Sequence, residues 1–181
     1  MAPGFALFDT AIGRCGLAWG ERCVSAVQLP EADDAGTRSR LIKHLPSLTQ
    51  SQPPPAVQRA IDGIQALLRG EGGDLLDVEL DMQGVPLFHQ RVYDVARRIP
   101  PGQTRTYGEV AVLLGEPTAA RAVGQALGHN RFAPVVPCHR VLAANSRSGG
   151  FSANGGVATK LRMLLIEGAA IGEPGLFDGQ A

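Results

Sequence analysis

The sequence of 181 residues predicts a mixed α/β protein of the α+β kind, in which strands and helices occupy different parts of the chain. Short apolar or alternating runs, separated by turn residues, fill the first 30 positions and predict a small antiparallel sheet. Amphipathic helical patterns dominate the second half. We therefore expect two domains: an N-terminal α/β domain with a sheet and a helix over residues 1–83, and a mainly helical domain over residues 84–181.

Three runs in the N-terminal part have the length and composition of strands: FALFD, CGLAW and CVSAVQL. Residues 31–55 are polar and rich in proline, which is typical of a connection. Apolar residues at helical spacing then predict a helix over residues 56–70, with Gly70 as its stop. LLDVELDM, residues 75–82, alternates apolar and acidic side chains. This alternation predicts a half-buried strand, after which the domain boundary falls.

The C-terminal part begins and ends with predicted helices. The first spans residues 88–99, where the apolar residues have helical spacing, and Pro100 ends it. The last spans residues 157–167, and its expected apolar stripe is formed by Leu161, Leu164 and Leu165. Before it lies GGFSANGG, residues 149–156, whose four glycines predict a loop that turns sharply or lets a ligand come close.

Two short helices are predicted between these. Thr106 to Glu109 has the Ser/Thr-x-x-Glu form of a capping box, which opens a helix that runs to Gly115. After a turn, TAARAVGQALG, residues 118–128, forms the next helix. This is the outline of a helix-turn-helix, but the outline alone favours a plain helical hairpin.

The helix over residues 118–128 is unusual because most of its residues are small and Arg121 is its only charge. Its small residues are Ala119, Ala120, Ala122, Gly124, Ala126 and Gly128. A face of this kind permits close packing against another helix, which is the commoner use. It also permits a slim helix to lie against nucleic acid with Arg121 reaching in.

Composition excludes several classes of protein. Three cysteines are too few for a disulfide scaffold, and their odd number leaves at least one thiol free, which favours a reducing, cytoplasmic setting. No apolar run has membrane-spanning length, and the N-terminus lacks the features of a signal peptide. Residues 1–90 carry a net charge of −4 and residues 91–181 a net charge of +4. This balance is compatible with a local polyanion-binding face but not with coating DNA by charge alone.

The stretch PVVPCHRVL places Cys138 directly beside His139. A thiol becomes a useful nucleophile as a thiolate, so it needs a base or a positive environment, and a carboxylate commonly orients the base. Glu167 is one candidate carboxylate in the C-terminal half. A metal site is a poor alternative, because the histidines and cysteines form no paired ligand spacing. A cysteine hydrolase using Cys138, His139 and Asn130 is a further alternative, but the order of its residues does not favour it.

Five ordered motifs of the C-terminal half resemble the O-6-alkylguanine-DNA alkyltransferases, also called methylated-DNA–protein-cysteine methyltransferases. They are RTYGEVA, AARAVG, the Asn130 segment, VPCHRV and GGVATKL with the following LLIEG. The resemblance covers nearly all of residues 84–168, and the first half resembles the variable N-terminal domain of that family. It implies that an alkyl group on O-6 of guanine moves irreversibly to Cys138, so that each molecule acts once. O-4-alkylthymine is a second candidate substrate.

The resemblance also implies roles for individual residues. His139 would take the thiol proton through a water, Glu167 would hold the imidazole, and Asn130 occupies the hinge position before the active-site segment. Tyr107 would assist base rotation and protonate the leaving group. Arg121 would fill the stack that the target base leaves, and Thr106, Ala120, Ala122 and Gly124 accompany it at the DNA. The substrate pocket is expected to include Tyr107, Val141, Phe151 and Ser152.

The implied partner is double-stranded DNA that contains alkylated guanine, bound through the minor groove by a monomer. A base hidden in the duplex must leave the stack before a protein can act on it. Neither a cofactor nor a metal is implied, because the thiol alone carries the chemistry, and no membrane is involved. Three features depart from the family: Arg131 stands where proline is usual, Phe151 where tyrosine is common, and the glycine-rich loop is two residues longer.

Two functions of different classes remain from the sequence. The first is repair by direct transfer to Cys138. The second is a regulatory or lesion-recognising helix-turn-helix protein that binds DNA without transfer, and relatives of that kind lack the acceptor cysteine. Because Cys138 is present with His139 beside it, the sequence favours transfer.

Overall fold

The computed structural model describes residues 1–144 and 156–170. Its N-terminal sheet consists of β1 (Gly4–Thr10), β2 (Gly13–Trp19) and β3 (Val24–Gln28) in the order β1-β2-β3. Both pairings are antiparallel, which confirms the predicted sheet. The register is continuous from β1 to β2 and shifts once between β2 and β3, after Ala18.

A short helix lies within the segment that was predicted to be a connection. The helix α1 (Asp34–Leu41) begins after Asp33, whose carboxylate accepts a hydrogen bond from the Gly36 amide at 2.7 Å. Thr37 and Leu41 are its buried residues. With only two buried residues, the apolar pattern of this segment is too short to predict a helix. The cap at Asp33 and the two buried side chains stabilise α1 instead.

The helix α2 (Pro55–Leu68) confirms the predicted helix in the N-terminal half. Proline at its first position suits the helix start, where its missing N–H has no intrahelical partner in any case. Its buried residues follow the predicted apolar spacing: Val57, Ala60, Ile61, Ile64, Leu67 and Leu68. Gly70, with a φ of +81°, follows the helix as expected.

The strand predicted over residues 75–82 is wrong. This part of the chain forms only one isolated bridge, between Leu80 and Val24. Leu75 has a φ of +55°, and a turn links its carbonyl oxygen to the Val78 amide at 3.2 Å. Leu76 is consequently 48% exposed instead of facing the core. The alternation holds only after the turn, where Val78 is buried and Glu79 is exposed.

The predicted helices of the C-terminal half are all present. They are α3 (Leu87–Arg97), α4 (Tyr107–Leu113), α5 (Ala120–Gly128) and α6 (Val157–Ile166). Two parallel two-residue strands, β4 (Arg105–Thr106) and β5 (Val141–Leu142), were not predicted. The helices α4 and α5 pack against each other and against α3. This arrangement gives the tight helical pair that the sequence predicts.

The buried face of α6 differs from the predicted stripe. Lys160, Met163 and Leu164 are its buried residues, whereas Leu165 is 68% exposed. Leu164 is therefore buried as predicted, whereas Lys160 and Met163 are buried in place of Leu161 and Leu165. The reason is a hydrogen bond that Lys160 makes inside the protein, described below.

A single hydrophobic cluster includes residues of both halves, among them Trp19, Ile64, Val92, Phe132 and Met163. The boundary between residues 1–83 and 84–181 stays a prediction. All three cysteines are free, with Cys15 fully buried and Cys23 partly exposed. In the parts of the chain that the structure describes, no helix is both long and apolar enough to cross a membrane.

Candidate active site

Cys138 lies in a buried segment between α5 and β5. Every residue from 132 to 142 is buried. Cys138–Arg140 forms a turn of 3-10 helix, in which the Cys138 amide donates to the Val136 carbonyl at 2.9 Å. The turn leads directly into β5, which pairs with β4 immediately before α4. The candidate nucleophile is thus held on packed backbone, as precise chemistry requires.

The thiol of Cys138 is subject to opposing influences. Burial raises its pKa, because a thiolate is poorly solvated there. A hydrogen bond from the Asn130 side chain, the positive charge of Lys160 and the backbone amides of Cys138 and His139 all favour the thiolate. Burial prevails, so the resting group is a thiol and its reaction needs a base.

His139 and Glu167 are in direct contact, although 28 residues separate them in the sequence. The Nε2 atom of His139 lies 2.8 Å from Oε1 of Glu167, and both side chains are almost completely buried. This contact brings together the base and the carboxylate that the sequence proposed. Burial lowers the pKa of His139, against the opposite influence of Glu167.

The protonation state of this pair follows from its environment. Burial alone would raise the pKa of Glu167, but the hydrogen bonds from His139 and Arg140 prevail and lower it to about 2. An ionised carboxylate can only accept hydrogen bonds, so Nε2 of a neutral His139 carries the proton. Nδ1 is then unprotonated, and it is buried without a hydrogen-bond partner among the described residues.

Arg140 is a site residue that the sequence analysis missed. Its Nε donates to Oε2 of Glu167 at 2.9 Å and its Nη2 donates to Oε1 at 2.7 Å. Its Nη1 donates to the Ile99 carbonyl at 2.7 Å, which ties the network to the end of α3. This two-point contact fixes the plane of the carboxylate, so Arg140 determines the direction from which Glu167 holds His139.

Lys160 is the second missed residue. It is 1% exposed, and its Nζ donates to the Val141 carbonyl at 2.9 Å. Burial lowers its pKa, while the charge of Cys138 acts in the opposite direction. The one sequence signal for this placement is its spacing, because Lys160 lies three and four residues before Met163 and Leu164 on the buried face.

Asn130 organises the backbone ahead of Cys138. Its Oδ1 accepts from the Phe132 amide at 2.9 Å, and its Nδ2 donates to the Val136 carbonyl at 2.8 Å. Its side chain also supplies the hydrogen bond that lowers the pKa of the Cys138 thiol. The structure therefore places Asn130 beside the candidate nucleophile, and its predicted role as a hinge stays a prediction.

Tyr107 is the half-buried first residue of α4. Burial raises the pKa of its phenol, and the charge of a Cys138 thiolate raises it further, so the hydroxyl keeps its proton until the reaction. Thr106 precedes it as the helix cap, since its hydroxyl accepts from the Glu109 amide at 3.1 Å. This contact confirms the predicted cap and gives the hydroxyl oxygen of Thr106 a hydrogen-bond partner within the helix.

Four of the five predicted DNA-binding residues lie on the less buried side of α5, and the fifth, Thr106, precedes α4. Arg121 is exposed, and Ala120, Ala122 and Gly124 are half-buried. The opposite face buries Val123, Ala126 and Leu127. Small residues therefore lie on both sides of the helix. Those on the buried side pack against the protein, and those on the other side remain candidates for contact with nucleic acid.

Of the predicted substrate residues, the structure describes Tyr107 and Val141, and neither lines the cleft beside Cys138. Val141 is fully buried on β5, and Phe151 and Ser152 lie outside the described residues. A cleft of about 490 Å³ between β3, the end of α1 and the segment after α5 is lined by Cys138 and Asn130, but not by Tyr107 or Val141. Within residues 1–144 and 156–170, no cluster of three or more His, Cys, Asp or Glu side chains could hold a metal ion.

Comparison with known proteins gives matches to one family. Residues 87–169 match the model of the 6-O-methylguanine DNA methyltransferase DNA-binding domain. A methylated-DNA–protein-cysteine methyltransferase of Mycobacterium tuberculosis is 46% identical over 123 residues, which cover 67% of this chain and 72% of the relative. One from Methanothermobacter thermautotrophicus is 35% identical over 156 residues, which cover 86% and 80%. The crystal structure of the Mycobacterium tuberculosis OGT in complex with DNA is similar at a TM-score of 0.71 and 35% identity, covering 91% of this chain and 92% of that one.

Proposed function

The chain belongs to the methylated-DNA–protein-cysteine methyltransferase family, and from that premise we propose that it repairs DNA by moving an alkyl group from O-6 of guanine to its own Cys138. The observation that carries this assignment is the buried series Cys138, His139 and Glu167. In it, the ring of His139 is held at 2.8 Å from a carboxylate and the thiol lies next to it in the chain. Each molecule reacts once, because the thioether formed is stable.

His139 acts as the base. Its Nε2 proton is engaged by Glu167, so its free Nδ1 is the atom that can receive the thiol proton. A bridging water provides the path, since Nδ1 makes no direct hydrogen bond to the thiol among the described residues. Lys160 and Asn130 favour the thiolate that results, which offsets part of the cost of forming an anion in a buried site.

The transfer is a displacement at carbon. The sulfur of Cys138 supplies the electron pair for the new carbon–sulfur bond, while the bond between the alkyl carbon and O-6 breaks and its electrons remain on guanine. The departing guanine takes a proton from the Tyr107 hydroxyl, whose raised pKa keeps it protonated until then. Guanine and an alkylated cysteine are the products. The proton that His139 took from the thiol returns to the Tyr107 phenolate through solvent, so the overall balance requires no cofactor.

The DNA lies against the outer face of α5, with the protein acting as a monomer. The small residues Ala120, Ala122 and Gly124 let the helix approach through the minor groove, and Arg121 enters the stack in place of the rotated base. Thr106, at the start of α4, contacts the backbone beside it. Because lesions occur in any sequence, contacts to the backbone suffice.

The test is intact-protein mass spectrometry with peptide mapping, after mixing the protein with a duplex that carries one O-6-methylguanine. We expect a gain of one methylene on the Cys138 peptide, which saturates at one per molecule. Cys138→Ala should show no gain. Cys23→Ala, which removes a partly exposed thiol in the N-terminal half, should react like the wild type.

The other outcomes point to other functions. Tight binding to the lesion duplex without a mass gain would favour the lesion-recognition function. Repeated turnover of substrate without a stable adduct would favour a cysteine hydrolase.

A further inference from the structure

Arg131 joins the active-site segment to the N-terminal half of the protein. Its Nη2 donates to the carbonyl oxygens of Asp81 at 2.9 Å and Gln83 at 3.3 Å. Its own carbonyl accepts from the Val27 amide of β3 at 2.8 Å. Its guanidinium carbon lies 5.1 Å from the centroid of the Phe132 ring, within the range of a cation–π contact. Although this side chain is exposed, it is held at three places.

The elements that Arg131 contacts are themselves joined. The Val24 amide of β3 donates to the Glu79 carbonyl at 2.9 Å, and the Asp81 amide donates back to the Val24 carbonyl at 2.8 Å. Residues 79–81 therefore form one bridge to β3, at the edge of the sheet. Arg131 bonds to both parts of this edge, through its backbone to β3 and through its side chain to residues 81 and 83.

Arg131 is also the middle residue of the turn that Asn130 closes. The Asn130 side chain passes across it to accept from the Phe132 amide at 2.9 Å. In such a turn, the side chain of the first residue bonds to the backbone two residues on, so a shift of the middle residue also shifts the amide that holds this side chain. The Asn130 side chain also donates hydrogen bonds to the Val136 carbonyl and to the Cys138 thiol.

We propose that Arg131 is a positioning residue for alkyl transfer: by clamping residues 130–132 to β3 and residues 81–83, it aims the Asn130 side chain at Cys138. The inference rests on the proposed function, since it concerns the reactivity of the same cysteine. It also assigns a function to the N-terminal half, which supplies the fixed surface for this clamp. A phosphate contact is the competing function for an exposed arginine in this place.

The experiment uses the free base O-6-benzylguanine, so that DNA binding does not enter. The rate of Cys138 labelling is measured from about pH 6 to about pH 11, a range that extends above the ordinary thiol pKa because burial raises the pKa of Cys138. For Arg131→Ala we expect the midpoint of the profile to move up by about one pH unit, because the thiolate loses an aligned donor. The rate near neutral pH then falls about tenfold, while labelling still ends at one per molecule.

Arg97→Ala is the matched control. Its Nη2 donates to the carbonyls of Leu75, Leu76 and Val78, so it holds the segment just before residues 81–83 and makes no bond to the Asn130 turn among the described residues. This variant should have a lower melting temperature and an unchanged pH profile. If both variants lower the melting temperature and neither moves the profile, Arg131 is merely structural and the inference fails.

A double-mutant comparison tests the route through Asn130. In an Asn130→Ala background, Arg131→Ala should cause no further shift, because the aligned donor is already gone. A shift of the same size in that background would overturn the proposal. Arg131→Gln, which keeps one donor, should give a smaller shift, and it serves if the alanine variant does not fold.

The failure of this inference is distinguishable from failure of the proposed function. If wild-type Cys138 is not labelled at all, the proposed function fails. If wild-type labelling is normal and Arg131→Ala loses activity on duplex DNA but not on the free base, Arg131 contacts phosphate and only this inference fails.

Discussion

The residues behind Cys138 and the residues on the outer face of α5 hold their charges in opposite ways. Behind the thiol, Glu167 receives hydrogen bonds from His139 and Arg140, and all three side chains are at most 3% exposed. On α5, Arg121 is exposed and makes no ion pair with any residue that the structure describes. One region is complete within the protein, whereas the other offers a charge without an internal partner.

In the proposed function, this difference separates the residues of the chemical step from the residues that bind DNA. A buried network that orients a base must be assembled before substrate arrives, so changes in it alter the fold and the reaction together. An exposed cation surrounded by small residues makes few contacts in the protein without DNA, so its removal should cost little stability. Changes there should affect the reaction on duplex DNA and leave the fold intact.

The largest expected effect comes from Glu167→Gln. This change leaves Arg140 buried without its counter-charge, which costs about 3–5 kcal/mol of unfolding free energy. Transfer should also fall by at least about tenfold, because His139 loses the group that orients it. Urea unfolding and labelling with O-6-benzylguanine measure the two losses. Glu109→Gln, an exposed carboxylate 3.9 Å from Arg105, is the control and should change neither.

The same variant has a defined pH signature. The pKa of Glu167 is about 2 in the folded protein and 4.5 ordinarily, so its contribution is complete above about pH 4.5 and is lost as the pH falls toward 2. Its size is about 3 kcal/mol. Unfolding free energies of the wild type should therefore converge with those of Glu167→Gln at acid pH. If the difference in unfolding free energy between the wild type and Glu167→Gln stays constant with pH, His139 and Arg140 do not lower the pKa of Glu167.

A smaller and more selective effect is expected for Arg121→Ala. Repair of O-6-methylguanine in duplex DNA should slow about 10- to 100-fold, because no side chain replaces the rotated base in the stack. Labelling by the free base and the melting temperature should stay unchanged. Arg59→Ala, an exposed arginine on α2, provides the comparison for loss of charge alone. Equal losses on duplex and free base would remove the separation between the two regions.

The smallest effect is expected for Gly124→Ala. A methyl group there would lie 4.0 Å from two carbons of the Tyr107 ring, which is an ordinary contact. Replacing glycine inside a helix should stabilise the fold by about 0.5–1 kcal/mol. The same methyl narrows the approach to DNA, so duplex repair should fall by about threefold, which is less than 1 kcal/mol. Gly128→Ala, with nothing within 4 Å, should stabilise without slowing repair.

The elements that the sequence predicted correctly are those with long apolar patterns. Both α2 and α3 have buried faces at helical spacing, and the antiparallel sheet follows three separated apolar runs. The strand predicted over residues 75–82 fails because alternation does not reveal a residue with positive φ, which Leu75 is. The helix α1 was missed because it buries only two side chains.

At the site, the sequence led to Cys138, His139 and Glu167, and the structure joins the last two. Arg140 and Lys160 could not be found in this way, because a charged side chain is expected at the surface. Their burial is stable only through bonds to Glu167, to Ile99 and to Val141, and these partners lie 19 to 41 residues away in the sequence. Arg131 is a similar case, since its partners Asp81 and Gln83 are 50 and 48 residues distant.

The contact between His139 and Glu167 has a consequence for the synthesis of the protein on the ribosome. Translation proceeds from the N-terminus, so Cys138 is made well before Glu167 and before α6 can dock. A nascent chain that ends between them holds the thiol but lacks the carboxylate that orients its base. Because each molecule can react only once, this delay protects the unfinished chain from being consumed. Reactivity is thus acquired at the moment the fold is completed.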